Sequence, residues 1–270
     1  MLHKPSSAKD YFLALSVAVI LFVILGGYLY VRRGYMLDAP ASAGPLYVPN
    51  KAIAAVGLML LAIVFLIGPV VRYFDTFDHW LSYRKEIGIV GGFLIIAHGI
   101  ISAWFIPAKF SLTGLFSSDY SFTAWAGLAG ALVLASLIVL SLKSMIEAIG
   151  GSPWWFLQRW GLRLVILFTA LHVLPMKWAG WEKWFLQGVP KTPELANPWM
   201  TPASILVALF LAWVVLVRLY ETVFLFRDFG WKTKEISIDP VLRARGRRFF
   251  IVSFWLLMGL YVIVLTRWAI

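Results

Sequence analysis

The stretch WWFLQRWGLRLVILFTALHVLP, residues 154–175, decides the fold: it is apolar enough for lipid, yet it carries Gln158 and Arg159 near its start and His172 near its far end. From 158 to 175 it approaches the roughly 20 helical residues that cross a hydrocarbon core. Working outward, six more apolar runs lie near 11–31, 52–71, 87–105, 122–142, 202–220 and 249–267. The whole chain agrees, with 61% hydrophobic and 14% charged residues and a mean hydropathy of +0.83. Soluble domains average about 45–50% apolar and about 25% charged. The sequence therefore predicts an all-α integral membrane protein with seven transmembrane helices. Its 14 Trp and 10 Tyr suit anchoring at two water–lipid interfaces.

Several function classes drop out at once. The chain has no Cys, which excludes disulfides, thiolate metal sites and a redox CxxC pair. It contains no phosphate-cradling glycine loop, dinucleotide fingerprint, repeat or low-complexity tract. The formal net charge of +11 is read as a topology signal rather than as a sign of nucleic acid. Small residues at 39–43 (APASA) follow the first run, as they would a cleaved signal peptide. Arg32 and Arg33 directly after a run of this length favour an uncleaved span instead.

Orientation follows from Lys and Arg. With the amino terminus in the cytoplasm, 16 of the 24 basic residues face inward, which predicts amino terminus in and carboxyl terminus out, in a plasma (inner) membrane. Much of this bias comes from the polar stretch RDFGWKTKEISIDPVLRARGRR, residues 227–248. That stretch reads as a cytoplasmic loop held near anionic lipid, at about 1 kcal/mol per basic residue. A docking site for a soluble partner is the other reading.

Ionisable groups at membrane depth are costly, so those present are functional candidates. The seven runs contain no Asp or Glu, whereas the third contains His98 and the fifth His172. A proton-coupled carrier needs an intramembrane carboxylate relay; two histidines without one suit metal ligation. Both helices start from the same side and run parallel. His98 lies 14 residues after Arg84, and His172 lies 14 residues after Gln158. Each offset is about 21 Å of helix and close to four turns, so each marker shares a face with its histidine. Two imidazoles at matched depth are what a porphyrin iron takes as axial ligands. The plainer reading is that both histidines bond between helices. Gly88 and Gly92, and Gly127 and Ala131, make room for a ring or simply for close packing.

The residues also resemble a family. RKEIGIVGGFLIIAH (84–98) is similar to the basic-pair, glycine, apolar-run, histidine segment of ferric reductase-like transmembrane domains. LKSMIEAIGGSPWWFLQRWGLRLVILFTALH (142–172) resembles their Gly-Trp-rich turn leading into a Leu-His-Arg helix start, and VGLMLLAIVFLIGPVVR (56–72) resembles the preceding span. Residues of about 50 to 220 are covered, with the likeness nearest to heme-bearing membrane subunits that supply electrons to periplasmic methionine sulfoxide reductases. The resemblance implies a six-helix heme bundle plus one extra carboxyl-terminal span. It divides the chain into 1–50 (first span and outer loop), 51–222 (ferric reductase-like core) and 223–270 (basic loop and last span).

Two-heme relatives carry histidines about 14 residues apart on each ligand helix, stacking an inner and an outer heme. Here Arg84 and Gln158 stand at the inner positions, so LQR replaces Leu-His-Arg. Only His98 and His172 match the ligand pattern, which implies a single heme b near the outer face. The vacated inner region, with Arg84, Gln158, Arg159, Tyr83 and Trp80, has the chemistry to contact a quinone, an FMN phosphate or lipid headgroups. His79, beside Asp75 and Asp78, reads as solvated, and His3 as terminal.

The expected function is a cytochrome b-type electron-transfer subunit rather than a complete enzyme. Its donor would be quinol or a cytoplasmic flavin reductase, and its acceptor a reductase partner, ferric iron or oxygen on the outer side. The competing expectation is a heme-free structural or assembly subunit of a membrane complex.

Overall fold

In lipid every backbone polar group must be satisfied within the segment, so an apolar run of spanning length folds as a helix. The computed structural model describes residues 8–35, 44–106, 114, 116, 121–188, 200–226 and 239–268. Every regular element among them is helical. Eight α-helices follow in order: α1 (Ala8–Tyr30), α2 (Tyr47–Tyr73), α3 (Arg84–Ile100), α4 (Ser121–Leu140), the short α5 (Lys143–Ile149), α6 (Gly151–Gln187), α7 (Ala203–Tyr220) and α8 (Pro240–Thr266). All but α5 are long and apolar enough to cross a membrane, and the chain is an all-α, multi-pass membrane protein. A 3-10 segment, Asp75–Tyr83, joins α2 to α3, and π-helical turns extend α1, α3 and α7.

The central helix is α2. Within its apolar stretch 67% of residues are buried, against 11–28% in the other six spans, whose remaining faces are left for lipid. Helices α1, α3 and α7 pack around α2, and α8 covers α7. Leu60, Leu61 and Val64 of α2 meet Trp213, Val214 and Val217 of α7 in the main core. Against α3 the approach is closer still, because a Cβ on Gly91 would stand 3.0 Å from the Leu60 Cβ and 3.2 Å from the Gly57 carbonyl oxygen. Helices α4 and α6 form a tight pair of their own, and α4 also packs on α3. Gly161 lets α6 lie against Leu137, and Gly92 lets α3 lie against Ile138. Gly88 has only an ordinary contact with Val64, so it is not a close-packing position.

Three expectations are corrected. The fifth span is not an 18-residue segment ending at Pro175 but the longest helix, 37 residues from Gly151 to Gln187. At 1.5 Å per residue that is about 55 Å, well beyond a hydrocarbon core of about 30 Å. Pro175 does not end it, since the next turns are held by packing. Trp184 is buried, its carbonyl accepts from Trp268 Nε1 at 3.0 Å, and Trp181 Nε1 donates to Ser204 Oγ at 2.9 Å. Gly188, at φ +74°, closes the helix in the left-handed region.

The second correction concerns the polar stretch 227–248, of which 227–238 lies outside the described residues. From Pro240 it is helix, started by Asp239, whose carboxylate accepts from the Val241 N–H at 2.8 Å. An Asp cap followed by Pro at the first helical position is a strong start signal, and it outweighs the run of arginines after it.

The third concerns acids. The apolar runs hold no Asp or Glu, but the helical segments extend beyond them to include Asp10, Glu86 and Glu221, exposed by only 8%, 2% and 3%. All lie toward the end of the bundle that carries Arg84, and none is level with the histidines. Glu86, for example, is 12 residues or about 18 Å of helix from His98.

Candidate functional site

Antiparallel α2 and α3 bring the first turn of α2 beside the last turns of α3. Asn50 sits in that first turn, exposed by only 2%. His98 Nδ1 lies 3.0 Å from Asn50 Oδ1, and Asn50 Nδ2 donates to Ser102 Oγ at 2.8 Å. Ser102 is four residues after His98, so both project from one face of the helix and grip the two ends of one amide. An amide oxygen only accepts, so the His98 proton resides on Nδ1.

His172 reaches the same state by a different route. Its Nδ1 lies 2.7 Å from the main-chain carbonyl oxygen of Thr123, in the first turn of α4. The ring fits because residue 127 is glycine, where a Cβ would stand 2.8 Å from that nitrogen. A carbonyl also only accepts, so this imidazole too is protonated at Nδ1 and carries its lone pair on Nε2. The two imidazoles are near enough to interact electrostatically. Their helices each pack on α4 more than on one another.

Cations collect at this end. Lys51 and Lys177 both interact electrostatically with His98, and Arg33 with Lys177. Lys51 Nζ and the Arg33 guanidinium lie 4.5 and 5.5 Å from the Tyr47 ring centre, and Arg33 Nη1 donates to the Tyr47 hydroxyl at 3.2 Å. Arg32, exposed by only 7%, donates from Nε to the Met200 carbonyl at 2.9 Å.

The opposite end is built differently, and four sets of neighbours hold the residues that the sequence grouped there. Gln158 Nε2 donates to the Leu137 carbonyl and to Ser141 Oγ, both at 3.2 Å, so its amide ties α6 to the last turn of α4. Arg84 instead joins a charged cluster with Arg72, Arg218 and Glu221, and Arg159 is near enough to interact with it. In that cluster the Glu221 carboxylate bridges two cations, accepting from Arg72 Nε at 2.5 Å and from Arg218 Nη1 at 2.7 Å. Gly68 leaves the space, since a Cβ there would lie 3.1 Å from Arg218 and 3.2 Å from Arg72. Arg84 Nε is enclosed without a hydrogen-bond partner among the described residues. Tyr83 packs against the main core, whereas Trp80 is exposed and pairs its ring with Phe77 at 4.7 Å. His79 is exposed, 6.2 Å edge-on from the Trp80 ring. His3 lies outside the described residues.

Sequence reasoning named both histidines but missed Asn50, Ser102, Thr123 and Glu221. Asn50 falls two residues before the second apolar run, and Glu221 one residue after the sixth. A polar residue at the mouth of a span, level with an intramembrane His on its antiparallel neighbour, is the signal that would have found Asn50. No family model matches the chain.

Proposed function

We propose that this chain is a membrane cytochrome b-type electron-transfer subunit that holds one heme between His98 and His172. One observation carries the reading: each imidazole gives its Nδ1 proton to a protein acceptor, Asn50 or the Thr123 carbonyl, and keeps the Nε2 lone pair for a metal. Metal-bound histidines almost always donate their other ring nitrogen in this way, which fixes tautomer and ring orientation. Lys51, Lys177 and Arg33 supply the positive charge that two heme propionates need.

When bound, the heme supplies a reversible one-electron couple. The chain's own residues do the rest. Asn50 and the Thr123 carbonyl orient the ligands, and Gly127 leaves room for the His172 ring. The donor would be quinol or a cytoplasmic flavin reductase, and the acceptor, at the His98 end, a reductase partner, ferric iron or oxygen. The basic-residue bias favours the Arg84 end as cytoplasmic. The likeness to ferric reductase-like domains supports a core of six helices with α8 as the added span.

The test is the absorbance of purified, dithionite-reduced protein from heme-sufficient cells. A sharp Soret and alpha band is expected, and stopped-flow reoxidation by ferric iron, oxygen or a reductase then ranks the acceptors. A colourless protein overturns the reading, and no reoxidation by any acceptor overturns electron delivery.

The same two hydrogen bonds also favour a second reading, a heme-free structural or assembly subunit. His98 joins α3 to α2, and His172 joins α6 to α4. Under that reading the protein is colourless, and loss of either histidine lowers thermal stability only.

A further inference from the structure

The two histidines are not held alike, and the difference has chemical consequences. His172 donates to a main-chain carbonyl, an acceptor that no side-chain substitution removes. His98 Nδ1 lies against the side-chain oxygen of Asn50, which is almost fully enclosed and whose other end is fixed by Ser102, and the Asn50 main chain also interacts with the ring. The strength of the acceptor at Nδ1 sets the electron density of the imidazole, and through it the electron density of any metal at Nε2. A charged acceptor hydrogen-bonds about twice as strongly as a neutral one, so an amide oxygen and a carboxylate would leave His98 with different donor strength.

We propose that Asn50 is the positioning residue that sets the reduction potential of the bound heme, by holding His98 as a ligand of chosen strength while Ser102 holds the amide oxygen toward Nδ1. This rests on the reading of His98 and His172 as heme ligands. The buried neutral amide keeps His98 a moderate donor, which leaves the ferrous state more accessible than a carboxylate at the same place would. Lys51, the next residue along α2, adds positive charge beside the same ring and acts in the same direction.

Redox potentiometry of the purified holoprotein, paired with electron paramagnetic resonance of the oxidised form, tests this. Asn50→Asp is nearly isosteric and is expected to lower the midpoint. Asn50→Leu removes the side-chain acceptor and is expected to raise it. Ser102→Ala frees the amide to turn and is expected to give a smaller rise, with a broader low-spin signal as the His98 plane loses its fixed angle. A full heme complement with the same midpoint and the same signal in all three variants overturns the proposal and leaves the heme reading intact. A reversed order, with Asn50→Asp above the wild type, also overturns it. Should Asn50→Leu fail to fold, Asn50→Asp and Ser102→Ala still decide the question. A wild-type protein without heme removes the proposal together with the reading beneath it, and that result is seen before any variant is made.

Discussion

The two ends of the bundle share one helical spacing and use it in opposite ways. At one end His98 and His172 each spend one ring nitrogen on a protein acceptor and keep the other. Four turns away along the same helices, Gln158 is bound to α4, and Arg84 lies in a cluster where Glu221 already bridges two arginines. A buried polar group must be satisfied, and the protein can do that itself or leave the task to a ligand. The Gln158 position is closed by hydrogen bonds within the protein, whereas each histidine has a hydrogen bond at one ring nitrogen only, Nδ1, among the described residues. Under the proposed reading, the heme count would depend on which side chains already have internal partners, and not only on which are histidine.

Substitutions break or sharpen this contrast in a graded order. The His98→Ala, His172→Ala double variant should lose all bound heme, read as loss of the reduced alpha band; retention of the band would place the heme elsewhere. At the other end, Glu221→Gln removes the one carboxylate that bridges Arg72 and Arg218. Breaking a buried pair by removing one partner costs about 3–5 kcal/mol. The thermal midpoint in detergent should fall markedly, with the alpha-band position unchanged. Smaller again is Gly127→Ala, whose Cβ would crowd His172 Nδ1. Overpacking of this kind costs about 1–3 kcal/mol, and here it should also shift the Soret band as the ligand is pushed from the Thr123 carbonyl. The smallest effect belongs to Gln158→Leu, which loses two long hydrogen bonds. About 1 kcal/mol of stability is at stake, and the heme content measured by pyridine hemochromogen should not change.

The spans were legible because lipid leaves little choice: an apolar run of sufficient length is a helix, and five of the seven spans moved by five residues or fewer at either end. The errors share a cause. Pro175 and the Trp- and Lys-rich residues after it read as a loop because local sequence does not show that Trp184 and Trp268 meet across the fold. The arginines of 243–248 hid a helix whose cap, Asp239, was visible beside Pro240. In the site, His98 and His172 were legible because a titratable group inside an apolar run stands out. Asn50, Thr123 and Glu221 were not, because each lies at a run's edge and gains meaning only from a partner far away in sequence. His98 and Asn50 are 48 residues apart, and Arg72 and Glu221 are 149 apart.

The central claim, one heme between His98 and His172 and none beside Gln158, reduces to a ratio. Pyridine hemochromogen analysis of the purified protein, divided by chain concentration from quantitative amino-acid analysis, should give one heme b per chain. Zero would leave both histidines as inter-helix hydrogen bonders, and two would mean that the Gln158 hydrogen bonds do not close the other end to a second heme.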